Sequence, residues 1–340
     1  MDPAQVFAAM AAKGYPPGLT KELWSTLQHF PVRFWVVDNS GSMATADGAR
    51  LMVDSAGSRR MLACTRWEEL AETVTLAADL AATLDARTDF ALLNPAEGVP
   101  QVQTVGFDAE GLPLPFGEAV ELSELKTNLA RVSPSGTTPL TEAVLRVCSM
   151  VKPIAGQLRA KGQECVLTLA TDGKPNDPVS FHRALTQLQS LPVWVVVRLC
   201  TDEKVVVKYW EKLDAKLELP LEVLDDERGE AKEVSRFNPW LTYGQPLHIA
   251  RMFGLRKKTF DLLDESALVP TQLKSFCELL LGCDALPEPE LDQSAFVAAL
   301  ERALACVPRV FDPLTLREQS WIKASRLFRR FSSNSCCLIS

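Results

Sequence analysis

Three stretches of the chain are apolar at nearly every position, and they are separated by stretches apolar at every third or fourth. The uninterrupted runs are VRFWVVD (residues 32–38), ECVLTLAT (164–171) and PVWVVVRL (192–199). Runs of that length, rich in β-branched side chains, predict strands covered on both faces. Helical spacing governs the intervening segments. Trp67, Leu70, Val74, Ala77, Ala81 and Leu84 follow TRWE, in which Thr65 and Glu68 make a capping box. Leu140, Val144, Val147 and Val151 predict a second helix opening at Thr138 and Pro139, and NDPVSFHRALTQLQ a third, capped by Asp177 before Pro178. TDFALLN and VQTVGF predict an antiparallel hairpin turning through residues 95–100, and LEVL near 221 a last strand. Between residue 38 and the capping box the pattern reads as a polar loop.

Buried strands alternating with amphipathic helices define the fold class: α/β, with a doubly wound, mostly parallel sheet flanked by helices and with appended C-terminal helices. Residues 1–30 predict two short helices joined by GYPPG, the second opening at Thr20, that pack on the main domain. The main domain spans 31–256. A helical extension follows over 257–312, through FDLLDE, TQLKSFCELLLG and SAFVAALERALACV. In sheets of this class ligands sit beyond the carboxyl ends of the strands.

Composition narrows the function. With 47% hydrophobic residues over 340 the chain is of globular type, and 36 basic against 43 acidic side chains leave a formal charge of -7. That balance excludes generic nucleic-acid binding, which needs a concentrated basic face. The start, MDPAQVF, carries an acid where a secretory signal has positive charge, so a cytoplasmic location is expected. Nine cysteines then read as reduced thiols, and Cys277 and Cys283, which lack zinc-ligand spacing, as core packing. His29, His182 and His248 lie far apart beside apolar neighbours and read as structural.

The candidate chemistry sits at strand ends. DNSGSM places Asp38, Ser40 and Ser42 on one tight loop after the first buried run, SGTTPL places Thr138 ahead of a helix, and ATDG places Asp172 after the second run. Taken singly, each has a plain reading: an Asn-Ser-Gly turn, a helix N-cap, a turn-stabilising aspartate. Carboxylate and hydroxyl oxygens without sulfur or imidazole form a hard ligand set that suits Mg2+, with Mn2+ second, better than zinc. In that order and at strand ends, DNSGSM, GTTPL and TDG resemble the metal-ion-dependent adhesion site of the von Willebrand factor type A domain. The resemblance covers roughly residues 31 to 256 and implies metal ligation by Asp38, Ser40, Ser42, Thr138 and Asp172. Thr138, directly before Pro139, is a better match than Thr137, and the repeated threonine leaves both open. The resemblance also implies a binding module that takes an Asp or Glu of a protein partner onto the ion, without catalysis.

The chain's last residues are Cys337-Leu-Ile-Ser, which resembles the farnesylation motif of Ras-like and other prenylated proteins. One lipid anchors marginally, so a second signal is expected. Candidates are palmitoylation of Cys336 and a basic amphipathic helix over 314–331, with Trp321, Ala324, Phe328 and Phe331 on one side and Lys323, Arg326, Arg329 and Arg330 on the other. Together, 313–340 predict a lipidated tail on the cytoplasmic face of a membrane. Two rival readings are a haloacid-dehalogenase-type phosphohydrolase with Asp38 as nucleophile and a metal-free scaffold. The first lacks the expected carboxylate two positions on, where Ser40 stands.

Overall fold

In the computed structural model, which describes residues 2–53, 59–106, 117–201, 203–214 and 221–327, the three uninterrupted runs are neighbouring strands of one sheet. The strands of this region are β1 (Val32–Val37), β2 (Gly48–Val53), β3 (Arg59–Cys64), β4 (Thr88–Leu92), β5 (Val102–Val105), β6 (Glu118–Ala119), β7 (Cys165–Thr171), β8 (Val193–Leu199) and β9 (Leu221–Leu224). Seven of them form one sheet in the order β6-β5-β4-β1-β7-β8-β9. Within that sheet all run parallel except β5, antiparallel to β4, and β6, which lies alongside β5 in the same sense. The fold is therefore α/β with a mostly parallel, doubly wound sheet. It belongs to a unit made of Thr26–Asp226 and Met252–Gly254.

Every position of β1, β7 and β8 is buried because helices cover both faces. On one face Val32, Phe34 and Val36 pack with Val144, Val147 and Val151 of helix Leu140–Val151 and with Phe181 and Leu185 of helix Pro178–Gln189. The alternate residues point the other way: the Trp35 ring meets Phe90 at 5.8 Å, and Arg198 pairs with Glu69 of helix Arg66–Leu84. From β1 the chain moves outward to β4, whereas β7, on the other side of β1, leads outward to β8 and β9. The carboxyl ends of β1 and β7 thus flank the point where the winding reverses, which in this class is the ligand-binding crevice.

Local structure departs from the sequence reading in three places. The polar loop after Asp38 contains β2 and β3, an antiparallel two-stranded ribbon separate from the main sheet. Helices Leu122–Arg131 and Lys204–Asp214 were not expected. The Leu140–Val151 helix starts after Pro139, which stands at its N-cap, so Thr138 lies on the preceding loop. The capping box at Thr65 and Glu68 and the Asp177 cap form as read.

The second unit takes in Met1–Ser25, Glu227–Arg251 and residues from Leu255 onward. It is largely helical. The N-terminal helices, Pro3–Ala12 and the start of Pro17–His29, belong here and not to the unit of the sheet, as far as Ser25. Gly18 is required at this contact: a Cβ there would come within 1.9 Å of the Leu279 carbonyl oxygen. Asn238, fully buried, donates to the Leu263 and Ser266 carbonyls and accepts the Leu268 amide, so it ties its own segment to the turn after helix Lys258–Glu265.

The basic amphipathic helix expected over 314–331 is corrected by the structure through residue 323. Strands β10 (Val310–Asp312) and β11 (Arg317–Gln319) form a hairpin there. Trp321 is fully buried, and its carbonyl accepts the Thr242 amide at 2.8 Å while the Lys323 amide donates to the Trp240 carbonyl at 2.7 Å. Lys323 pairs with Asp312 at 3.2 Å, and Arg326 donates to the Pro239 carbonyl. Pairing with a distant segment has taken the aromatic inward and given both cations partners on this protein. Phe328, Arg329, Arg330, Phe331, Cys336 and Cys337 lie outside the described residues. The described cysteines are free thiols, and Cys277 is buried as expected. No helix among the described residues is long and apolar enough to cross a membrane.

Candidate metal site

Asp38 is the first residue past β1, fixed by its amide, which donates to the Ala170 carbonyl of β7 at 3.0 Å. The chain then reverses, and Asp38 Oδ1 accepts the Ser40 amide at 2.8 Å in an Asx turn. Asp38 Oδ2 accepts the Thr171 hydroxyl at 2.5 Å. The carboxyl is fully buried, and burial raises its pKa; hydrogen bonds from Thr171 and Ser40 oppose the rise, and the Asp172 charge adds to it. A bound cation would relieve that strain on the ionised form.

Asp172 ends β7 as Asp38 ends β1. Its Oδ1 accepts the Ser42 hydroxyl at 2.8 Å, and Ser42 Oγ lies 3.1 Å from Ser40 Oγ. The two strand-end carboxylates and the two serines therefore form one hydrogen-bonded group, drawn from loops 130 residues apart. Thr138, on a third loop, approaches the residue after Asp172. Its Oγ1 is 3.6 Å from the position a Cβ on Gly173, the neighbour of Asp172, would take. Thr137 differs: its hydroxyl accepts from Asn176 Nδ2 at 3.1 Å and its carbonyl from Asn94 Nδ2 at 2.8 Å. Of the two threonines, Thr138 is the one whose hydroxyl lies close to Gly173.

The loops are bound to one another by backbone. Gly41 donates to the Gly136 carbonyl at 3.2 Å and Ser135 to the Asn39 carbonyl at 2.8 Å. Asn39 and Asn94 exchange bonds of 2.9 and 2.7 Å. Asp177 is not part of the group; it caps its helix, Oδ1 accepting the Val179 amide at 2.9 Å.

One neighbour of this group carries no mark in the sequence. Arg66, its side chain only 6% exposed, donates from Nη1 to Asp172 Oδ2 at 2.8 Å. It also grips Asp47 through two bonds of 2.7 Å and reaches Glu203 at 3.1 Å. The hydrogen bonds to Asp47, Asp172 and Glu203 hold the guanidinium above its ordinary pKa, and Arg66 holds the Asp47 carboxyl below its own. In the sequence Arg66 reads only as the residue after a helix cap, 106 positions from Asp172.

A second acidic group, Glu230, Glu233 and Asp264, lies in the other unit, where Arg251 pairs with Glu230 at 2.8 Å and with Asp264 at 3.1 Å. That arrangement is an ion network joining helices. His248, buried, bonds the Tyr243 hydroxyl at 3.1 Å, in keeping with a structural role. The group around Asp38 is the better cation site by chemistry: its oxygens come from hydroxyls and carboxylates that already converge, a set suited to a hard divalent ion.

No family profile matches the chain, and no curated protein does. Among solved structures it is similar to the manganese-loaded TRAP protein of Plasmodium vivax, with 16% identity and a TM-score of 0.34 over 58% of this chain and 69% of that one. It is also similar to proximal thread matrix protein 1 of the mussel byssus, with 14% identity and a TM-score of 0.27 over 50% of this chain and 38% of that one.

Proposed function

We propose that this chain is a non-catalytic binding protein in which Asp38, Ser40, Ser42, Thr138 and Asp172 hold one divalent cation, Mg2+ first and Mn2+ second, that captures an Asp or Glu of a protein partner. The observation that carries the reading is the hydrogen-bonded line from Asp172 through Ser42 and Ser40 to Asp38, at the point where the sheet winding reverses. The likeness of the three motifs to the adhesion site of von Willebrand factor type A domains supports it. When bound, the ion supplies an electropositive point at which an incoming carboxylate is coordinated. The chain's own groups prepare that point. Ser42 donates its proton to Asp172, so its oxygen faces other partners as an acceptor, the role a metal ligand needs. Thr171 and the Ser40 amide fix the Asp38 carboxyl against rotation.

The phosphohydrolase alternative gains nothing from this geometry. Ser40 stands where that chemistry needs a carboxylate to move a proton. Titration with MgCl2 or MnCl2, read by calorimetry and thermal melting, tests the reading. The wild type is expected to bind and to melt higher with metal, and Asp38→Ala to lose both responses while keeping its circular dichroism. A wild type indifferent to metal would leave the metal-free scaffold. A farnesyl tether at Cys337, with Cys336 as a second acylation site, extends the proposal to a cytoplasmic membrane face and rests on the sequence motif alone. Cys337→Ser is then expected to move the protein from membrane to soluble fractions.

A further inference from the structure

We infer that Arg66 is a resident counter-cation of this site: it stabilises the site without metal and limits how tightly a divalent ion binds. The inference rests on the metal reading above and adds a residue that supplies no ligand. Its starting point is the Asp172 side chain, 0% exposed. A buried carboxylate needs a cation or several donors, and here Oδ2 takes Arg66 while Oδ1 takes Ser42. The Asp38 partners are hydroxyl and amide hydrogens. Of the two strand-end carboxylates, then, one is already paired with a cation. An arriving ion meets Asp172 with part of its charge offset by a guanidinium that repels the ion.

Two outer carboxylates hold the guanidinium there. The Asp47 fork is bidentate and Glu203 adds a third acid, although their side chains are 53% and 60% exposed. A partner residue for Asp172 alone would not need this cradle. The two outer acids keep Arg66 beside Asp172 and offset part of its charge, and the remaining repulsion stays in the equilibrium. The site is consequently one that fills and empties with metal concentration instead of holding its ion permanently.

The test uses the full chain at low ionic strength, with MgCl2 and MnCl2 as the only added ligands. Arg66→Gln is expected to melt lower than wild type without metal, because Asp172 loses its counter-charge. Its metal affinity is nonetheless expected to rise by about tenfold or more, since a unit like charge has been removed from the neighbourhood of the ion. Arg66→Lys, which keeps the charge, is expected to stay within about threefold of wild type. A merely structural arginine would lower stability and affinity together. Asp47→Asn gives a second readout of opposite sign: one acid fewer around the same guanidinium is expected to weaken metal binding by about threefold. Equal or weaker binding by Arg66→Gln overturns the inference, as does unchanged binding by Asp47→Asn should Arg66→Gln not fold. A wild type without metal response removes the proposed function itself, a different result from a responsive wild type whose Arg66→Gln variant fails to tighten.

Discussion

Gly136 has φ +84°, and the Asn94 side-chain oxygen would lie 2.7 Å from a Cβ placed on it. Both conditions demand glycine, because other residues pay strain in the left-handed region and here would also displace the amide that supports Thr137. Gly136→Ala is expected to destabilise the sheet unit by about 1–3 kcal/mol in chemical denaturation and to loosen the loop of the proposed metal site, since the Gly136 carbonyl anchors Gly41. At this scale the site was partly legible in the sequence. Asp38, Ser40 and Ser42 sit within five residues at the end of an apolar run, so position and chemistry coincide. Arg66 was not legible, because nothing near it distinguishes a site cation from an ordinary first-turn arginine.

The capping box is the clearest local signal to become structure. Thr65 Oγ1 accepts the Glu68 amide at 3.1 Å and Glu68 accepts the Thr65 amide at 2.8 Å. Thr65→Ala is expected to cost about 1 kcal/mol, measured by urea denaturation. The Thr65 amide, and then its hydroxyl, holds the Glu68 carboxyl below its ordinary pKa. A carboxylate depressed on folding adds stability that is present above its unfolded value, about 4.3, and is lost as pH falls through its folded value. Glu68→Gln is therefore expected to lose stability less steeply than wild type in that acid window, read from melting temperature against pH. Buried strands were legible because burial on both faces leaves an unbroken apolar run. The β2–β3 ribbon was not: Arg50 faces Leu62 and Met52 faces Arg60 across it, so no two-residue alternation survives.

For the molecule as a whole, what the sequence hid was long-range pairing. Residues 314–331 carry helical spacing, yet 321–323 pair with 240–242, and no local pattern announces a partner some eighty positions away. The same pairing separates two outcomes. Trp321→Ala is expected to destabilise the helical unit by about 3–5 kcal/mol, whereas a membrane-facing tryptophan would leave stability nearly unchanged. Because the chain divides into two units, differential scanning calorimetry, which resolves more than one transition, is the suitable measurement. The position of the ribbon has a consequence of its own. It departs just after Asp47 and returns just before Arg66, and those two residues are clasped together. The ribbon's two ends are thus joined by a side-chain clasp as well as by its own backbone ladder, so its root is fixed beside Asp172 whatever residues its strands carry.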